Sequence, residues 1–271
     1  DFLGIGAPKC ATTWLAACMS DHPQIFMPPE KEVSFFSSIK QWTGDYSDYL
    51  NLFKEAKKKQ KTGEFSVTYL GAGEICASRI YDFNKKLKLI VVLRDPVKRS
   101  YSHYNWLKQL GRVNENTDFF KALEKEPRII TDSFYGKNLK VYLKYFPKQN
   151  FLVINFDDIK NNPELVLNKV YKFLDVDPNF KSSMTKDIIG KTIKVKYRFL
   201  ENIRMKTFKI LRKSKNSNLI FYIKKLGISN LYRKINSVKH ENDLTIDNYN
   251  KIRELFIKDL VLLEDLFDTK L

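Results

Sequence analysis

Three groups of residues have the types and spacing to hold anions and move a proton. The segment Gly6-Ala7-Pro8-Lys9-Cys10-Ala11-Thr12-Thr13-Trp14 joins an apolar run to small residues, a lysine and two hydroxyls at a helix start. Free N–H groups at a helix N-terminus point at an anion, the helix dipole favours negative charge, and Lys9 adds a mobile full charge. Arg94 is followed eight residues later by Ser102. The guanidinium fork matches phosphate oxygens, and a hydroxyl within two helical turns completes the contact. Glu32, in Pro29-Glu30-Lys31-Glu32-Val33-Ser34-Phe35-Phe36, is a carboxylate able to take a proton from a nucleophile. His22 and His103 are the fallback bases, with His22 better read as a helix cap before Pro23. Each group also has a plain reading: a capping threonine in an ordinary βα turn, an Arg94–Asp95 ion pair, and a Glu32–Lys31 pair. Trp14, Phe35, Phe36 and Tyr104 fit a core better than a binding pocket.

The elements that must position these groups are legible from pattern. Phe2 to Gly6 is a short apolar strand followed by a turn at Ala7-Pro8, and Thr12 to Met19 favours a helix. Short strands are predicted at Gln24–Met27 and around Glu64–Val67, and the clearest one is the continuous aliphatic run Lys88–Leu93, of the kind a parallel sheet buries on both faces. Asp95 suits the N-cap and Pro96 the first turn of a helix to about Leu110, stopped at Gly111. A helix at Asn138–Tyr145, a strand at Phe151–Phe156 and a helix at Pro163–Leu174 follow, and beyond Asp177 the pattern turns helical, at Phe199–Leu211 and Ile246–Phe267. Strands alternating with helices imply right-handed crossovers and a parallel sheet covered on both faces.

The whole chain, 1–271, reads as a single domain: an α/β core over 1–178 and a basic helical part over 179–271. At 271 residues with 43% hydrophobic and 14% aromatic content, the chain has ample material for a core. No run reaches the length of a transmembrane helix and no secretory signal is visible, so the expected setting is cytoplasmic. Three scattered cysteines and three scattered histidines match no disulfide framework and no metal-ligand spacing. The net charge of +17 is uneven: residues 181–239 hold 17 Lys/Arg against 2 Asp/Glu. Such a segment attracts an anionic acceptor, a membrane surface or a polynucleotide, or forms a solvated helical face. No zinc-finger, RNP or homeodomain pattern accompanies it, so no specific nucleic-acid partner is expected.

A magnesium-dependent nucleotide kinase asks for GxxxxGK[ST], in which lysine directly follows glycine. Here Ala7 and Pro8 precede Lys9, and Ala11 stands where the second glycine is sought. The arrangement Pro-Lys-x-x-Thr-Thr instead resembles the 5′-phosphosulfate loop of sulfotransferases that use 3′-phosphoadenosine 5′-phosphosulfate (PAPS). The stretch Leu93-Arg94-Asp95-Pro96 through Ser102-His103-Tyr104 resembles that superfamily's 3′-phosphate motif, with Arg94 and Ser102 at the matching positions. Arg99, three residues before Ser102, is expected on the same helix face. The Glu32 segment is similar to that of heparan-sulfate-type carbohydrate sulfotransferases, whose catalytic base matches Glu32. Gly63–Leu70, Ser133–Gly136 and Tyr142–Pro147 fit the same resemblance, which covers roughly residues 2–178.

The resemblance implies a P-loop-like three-layer fold and transfer of a sulfuryl group from PAPS to a hydroxyl or amine acceptor, releasing adenosine 3′,5′-bisphosphate. Lys9 and Glu32 would be catalytic. Lys9, Cys10, Ala11, Thr12, Thr13, Trp14, Arg94 and Ser102 would hold the nucleotide. Sulfuryl transfer follows the logic of phosphoryl transfer by analogy, and the transferred group carries one fewer negative charge, so no metal is expected. The chain departs from the carbohydrate enzymes in three places. Phe65 stands where they usually carry lysine. Ser34 and Ser37 replace the histidine and acid that often follow the glutamate. The late cofactor-covering loop has no clean match, with Gly190-Lys191 and Lys194–Arg198 as its candidates. The remaining competitors are the kinase, with Asp95 on the metal side, and a non-catalytic polyanion-binding module built on residues 181–239.

Overall fold

The computed structural model describes residues 1–29, 32–39, 42–186 and 244–271, together with 194–195, 200, 207 and 237–238. Five parallel strands form the sheet: β1 (Phe2–Gly6), β2 (Ile25–Phe26), β3 (Lys61–Phe65), β4 (Lys88–Leu93) and β5 (Phe151–Asn155), in the order β2-β3-β1-β4-β5. The aliphatic run of β4 lies next to the sheet centre, between β1 and β5, and Leu89 to Leu93 are wholly buried. Burying a Leu, Ile or Val side chain contributes about 1.5–3 kcal/mol, so this strand is a main source of cohesion.

The chain runs outward from β1 through the β3 and β2 side, then returns to β4 and β5 on the other side. Parallel strands share one carboxyl edge, and the crevice beyond that edge, where the winding reverses, is the usual ligand site of such sheets. The turns after β3, β1 and β4 therefore emerge side by side. A close approach inside the sheet requires Gly4: a Cβ there would fall 1.9 Å from Cδ1 of Phe65. Phe65, expected at a lysine position, is thus a core residue packed across β1.

Helix α1 (Thr12–Ser20) follows β1, and α5 (Pro96–Gln109) follows β4. Between them lie α2 (Ser47–Asn51), α3 (Thr68–Gly71) and α4 (Gly73–Phe83), and after α5 come α6 (Phe119–Lys125), α7 (Arg128–Thr131), α8 (Tyr135–Tyr142), α9 (Phe156–Asn161) and α10 (Pro163–Phe173). Lys194–Val195 pairs antiparallel with Ser237–Val238. The other residues of the basic segment, including the expected helix at 199–211 and most of the candidate covering loop, lie outside the described residues.

Two predicted boundaries shift for tertiary reasons. The helix expected at Asn138–Tyr145 starts at Tyr135, because Asp259, 123 residues away, accepts the N–H of Gly136 at 3.0 Å and that of Lys137 at 2.8 Å. A cap from a distant element leaves no trace in local sequence. The single helix expected at Ile246–Phe267 is two, α11 (Ile246–Glu254) and α12 (Ile257–Phe267), broken where buried Phe256 turns in against Phe134, with ring centroids 5.1 Å apart. Helix α12 packs on α8 at Gly136, where a Cβ would fall 2.6 Å from the Asp259 carbonyl oxygen.

Candidate active site

The loop after β1 is anchored by the Ala7 N–H, which donates to the Val92 carbonyl at 2.9 Å. It then passes through two left-handed residues, Lys9 (φ 69°) and Ala11 (φ 63°). Non-glycine residues rarely adopt this conformation, and left-handed residues are a feature of the loops in which backbone N–H groups cradle anions. Ala11 is the N-cap of α1, and no side chain caps that terminus. The threonine cap of the plain reading is therefore absent. The Trp14 and Leu15 N–H groups donate to the Ala11 carbonyl at 3.0 and 3.1 Å. The Trp14 N–H is thus committed inside the helix, which leaves the N–H groups of Ala11, Thr12 and Thr13 to serve an anion.

Side chains in this loop divide sharply. The Cys10 thiol is fully buried, 3.6 Å from the Pro8 carbonyl and 4.0 Å from the Tyr135 hydroxyl, and burial pushes its pKa up to about 11. Only the backbone of Cys10 is left to face a ligand. The Trp14 ring is core, its indole N–H donating to the Thr185 carbonyl at 3.4 Å. Lys9 is half-buried, with Nζ 5.4 Å from the centre of the Trp106 ring.

The second anion group meets the first. Arg94, at the end of β4, donates from Nη1 to the Lys9 carbonyl at 3.3 Å, and its guanidinium lies 4.7 Å from the centre of the Phe156 ring. Asp95 does not pair with it. That carboxylate caps α5 through the Lys98 N–H at 2.8 Å, accepts the Tyr249 hydroxyl at 2.5 Å and lies 3.5 Å from Nη1 of Arg253. Ser102 sits two turns into α5, half-buried, and its hydroxyl has no protein partner among the described residues. Trp106, four residues on, shares that helix face. Trp106 and Phe156 were missed from sequence. The i, i+4 spacing from Ser102 carries a signal for Trp106, whereas Phe156 arrives from β5 and carries none.

Arg99 does not join Ser102 as expected. Its side chain instead turns into the protein and is fully buried, donating to Ser133 Oγ at 2.6 Å and to the Ile129 carbonyl, with Nη1 3.1 Å from His103 Nδ1. Its neighbour Asp132 lies 4.0 Å away. Burial first, then the charges of Arg99 and Lys9, lower the His103 pKa to about 3. A neutral imidazole held as acceptor for a buried guanidinium is a poor general base. His22 is equally committed, with Nε2 3.0 Å from the Asp177 carbonyl and Nδ1 accepting the Gln24 N–H at 3.1 Å.

Glu32 lies at the carboxyl end of β3. Its N–H donates to the Phe65 carbonyl at 3.1 Å, and its Oε2 accepts the Val67 N–H at 2.9 Å. The next turn of chain is tied to β1 by the Ser66 N–H, which donates to the Gly4 carbonyl at 2.9 Å. Glu32 is half-buried, so it is neither sealed in the core nor a free surface carboxylate. Glu30 and Lys31 lie outside the described residues. Phe35 and Phe36 are core, in contact with Trp42, Tyr49 and Tyr69, and Tyr104 packs against Phe119.

Among the described residues, no three His, Cys, Asp or Glu side chains converge as a metal site, and no helix is long and apolar enough to cross a membrane.

The chain is 28% identical over 185 residues to mouse heparan sulfate glucosamine 3-O-sulfotransferase 5, an alignment covering 64% of this chain and 53% of that protein. It is also 28% identical over 207 residues to the bifunctional heparan sulfate N-deacetylase/N-sulfotransferase of Drosophila melanogaster, covering 65% of this chain and 20% of the other. The chain thus spans about half the length of the first and a fifth of the second. A sulfotransferase from Alicyclobacillus acidocaldarius superposes with a TM-score of 0.70 at 24% identity, covering 100% of this chain and 96% of that one, and shares the fold. The family model described as the sulfotransferase domain matches residues 1–264. With that match over nearly its whole length, on a parallel sheet whose carboxyl edge joins a lysine loop to an arginine–serine pair, the chain belongs to the sulfotransferase domain family.

Proposed function

We propose that the chain transfers a sulfuryl group from PAPS to a hydroxyl or amine acceptor. The observation that supports this reading best is the Arg94 Nη1 contact to the Lys9 carbonyl, 3.3 Å, which brings the two candidate anion-binding groups together. The donor has two anionic ends, so one isolated cradle would not suffice. The residues fit it: N–H groups at the start of α1 without a partner among the described residues for the phosphosulfate, and Arg94 with the Ser102 hydroxyl, likewise without one among them, for the 3′-phosphate. Trp106 and Phe156 offer apolar faces beside those charges.

In the reaction, a bond forms from the acceptor oxygen or nitrogen to sulfur as the sulfur–phosphate oxygen bond breaks. Lys9 and the N–H groups of Ala11, Thr12 and Thr13 stabilise charge gathering on the departing phosphate oxygen. Glu32 takes the acceptor proton. The bisphosphate leaves with the electrons of the broken bond. Positioning dominates such a transfer, and the neighbouring carboxyl ends of β3, β1 and β4 supply it.

The kinase reading is not favoured, because Asp95 already serves the α5 cap, Tyr249 and Arg253. The names of the relatives support a saccharide acceptor. The docking of α12 on α8 supports one domain over 1–271. Three buried cysteines, none in a disulfide, support a reducing, cytoplasmic setting.

The test is calorimetric titration with adenosine 3′,5′-bisphosphate, followed by incubation with labelled PAPS and an acceptor panel read by mass shift. Binding of the bisphosphate and label transfer are expected. Absence of bisphosphate binding overturns the reading.

A further inference from the structure

Strands β4 and β5 run parallel and in register, with Leu93 opposite Asn155. The next residue of each strand is Arg94 on one side and Phe156 on the other, so the two leave the carboxyl edge as neighbours. The Arg94 guanidinium carbon lies over the Phe156 ring, 4.7 Å from its centre. Phe156 opens α9, whose cap Asn155 accepts the Asp157 N–H at 2.9 Å, so the ring is carried on a fixed helix start. Both residues are half-buried.

Arg94 has no carboxylate partner among the described residues. The adjacent Asp95 is taken up by the α5 cap, Tyr249 and Arg253. Nη1 of Arg94 donates to the Lys9 carbonyl at 3.3 Å, and its other nitrogens meet no protein acceptor among the described residues. Lys160 lies at the same ring, with Nζ 4.8 Å from the centre, but Asp157 Oδ1 meets its charge at 3.0 Å. Of the two cations on this ring, Arg94 is the one whose charge is left for a ligand.

An arginine can be aimed by a carboxylate or by an aromatic face. A carboxylate fills the guanidinium fork and cancels its charge, and an incoming phosphate must displace it. An aromatic face attracts the cation yet leaves the fork and the charge to an anion. It also lowers the cost of ordering a long side chain when the ligand arrives. We propose that Phe156 is the positioning residue for Arg94: its ring holds the guanidinium ready for the 3′-phosphate, and so sets the preference for a 3′-phosphorylated nucleotide. The inference rests on the proposed transfer reaction, with Arg94 on the 3′-phosphate.

The test is calorimetric titration of the full chain with adenosine 3′,5′-bisphosphate and with adenosine 5′-monophosphate, which differ only in the 3′-phosphate. Phe156→Leu should lower bisphosphate affinity about 3- to 30-fold, the range of a cation–π contact, and leave monophosphate affinity within about twofold. Phe156→Tyr, which keeps the ring, should bind both ligands as the native protein does. In an Arg94→Ala background, Phe156→Leu should cost no further bisphosphate affinity, because the ring has no guanidinium left to position. A Phe156→Leu protein with native affinities overturns this inference alone. So does an equal loss for both ligands, or a loss that persists without Arg94, since the ring would then support the nucleotide directly or only the fold. Failure of the native protein to bind the bisphosphate overturns it together with the transfer reaction.

Discussion

Arg94 reaches from the end of β4 to the carbonyl of Lys9 in the neighbouring loop, at 3.3 Å. This contact serves geometry as well as charge. It fixes the loop by its backbone rather than through the Lys9 side chain, and it brings the two proposed anion sites together. Substitutions at the two residues should therefore differ in kind.

Arg94→Ala is expected to weaken bisphosphate binding by about 10- to 100-fold, the loss of a charge-assisted contact of about 1.5–3 kcal/mol. Ser102→Ala should weaken it less, by about 1 kcal/mol. Lys9→Met should lower kcat more than it lowers bisphosphate affinity, because its charge matters most as the phosphate oxygen departs. Calorimetry paired with steady-state kinetics separates these outcomes. A Lys9→Met protein with normal kcat would remove the lysine from the chemistry.

Glu32→Gln should lower turnover by about 10²- to 10⁴-fold while leaving bisphosphate affinity within a factor of two. The amide still offers an oxygen to the Val67 N–H, so the loop is expected to hold. Near-normal rates in this variant would reassign the base.

Turnover should persist in excess chelator. A sulfuryl group carries one fewer negative charge than a terminal phosphoryl group, so a lysine and oriented N–H groups can stabilise its transfer. Loss of label transfer on chelation, restored by magnesium, would contradict this.

His103 predicts a pH signature of stability. Its folded pKa is lowered to about 3, below the unfolded value, so the unfolded chain binds the extra proton first. The contribution is complete above about pH 6.5 and is lost progressively as pH falls toward 3. Between pH 7 and 5.5 the loss should be about 1 kcal/mol. Urea unfolding at both pH values should show it in the native protein. His103→Asn, whose side-chain oxygen can still accept from Arg99, should show a correspondingly smaller pH dependence.

Gly4→Ala tests the packing of the sheet under the site. The new methyl would fall 1.9 Å from the Phe65 ring. A loss of about 1–3 kcal/mol or more is expected from overpacking. Phe65→Leu should recover part of it in the double variant, measured by urea midpoint.

What could be read from sequence was what is encoded over short range. The aliphatic run of β4, the Asp95–Pro96 start of α5 and the helix beginning at Thr12 each reflect neighbours in the chain, and all appear where expected. The lysine loop and the Arg94–Ser102 spacing were legible for the same reason. Partnerships across the fold were not. Sequence put Arg99 beside Ser102, yet its side chain turns inward to Ser133 and Ile129, residues over 25 positions later. It also could not show that α8 begins on the carboxylate of Asp259, that Phe65 is needed against Gly4, or that the hydroxyls of Ser34, Ser37 and Thr68 meet. Local periodicity and turn chemistry record what a residue prefers. Which partner takes its hydrogen bond, and which side chain fills the space beside it, is decided by the strand order that brings distant segments to one edge.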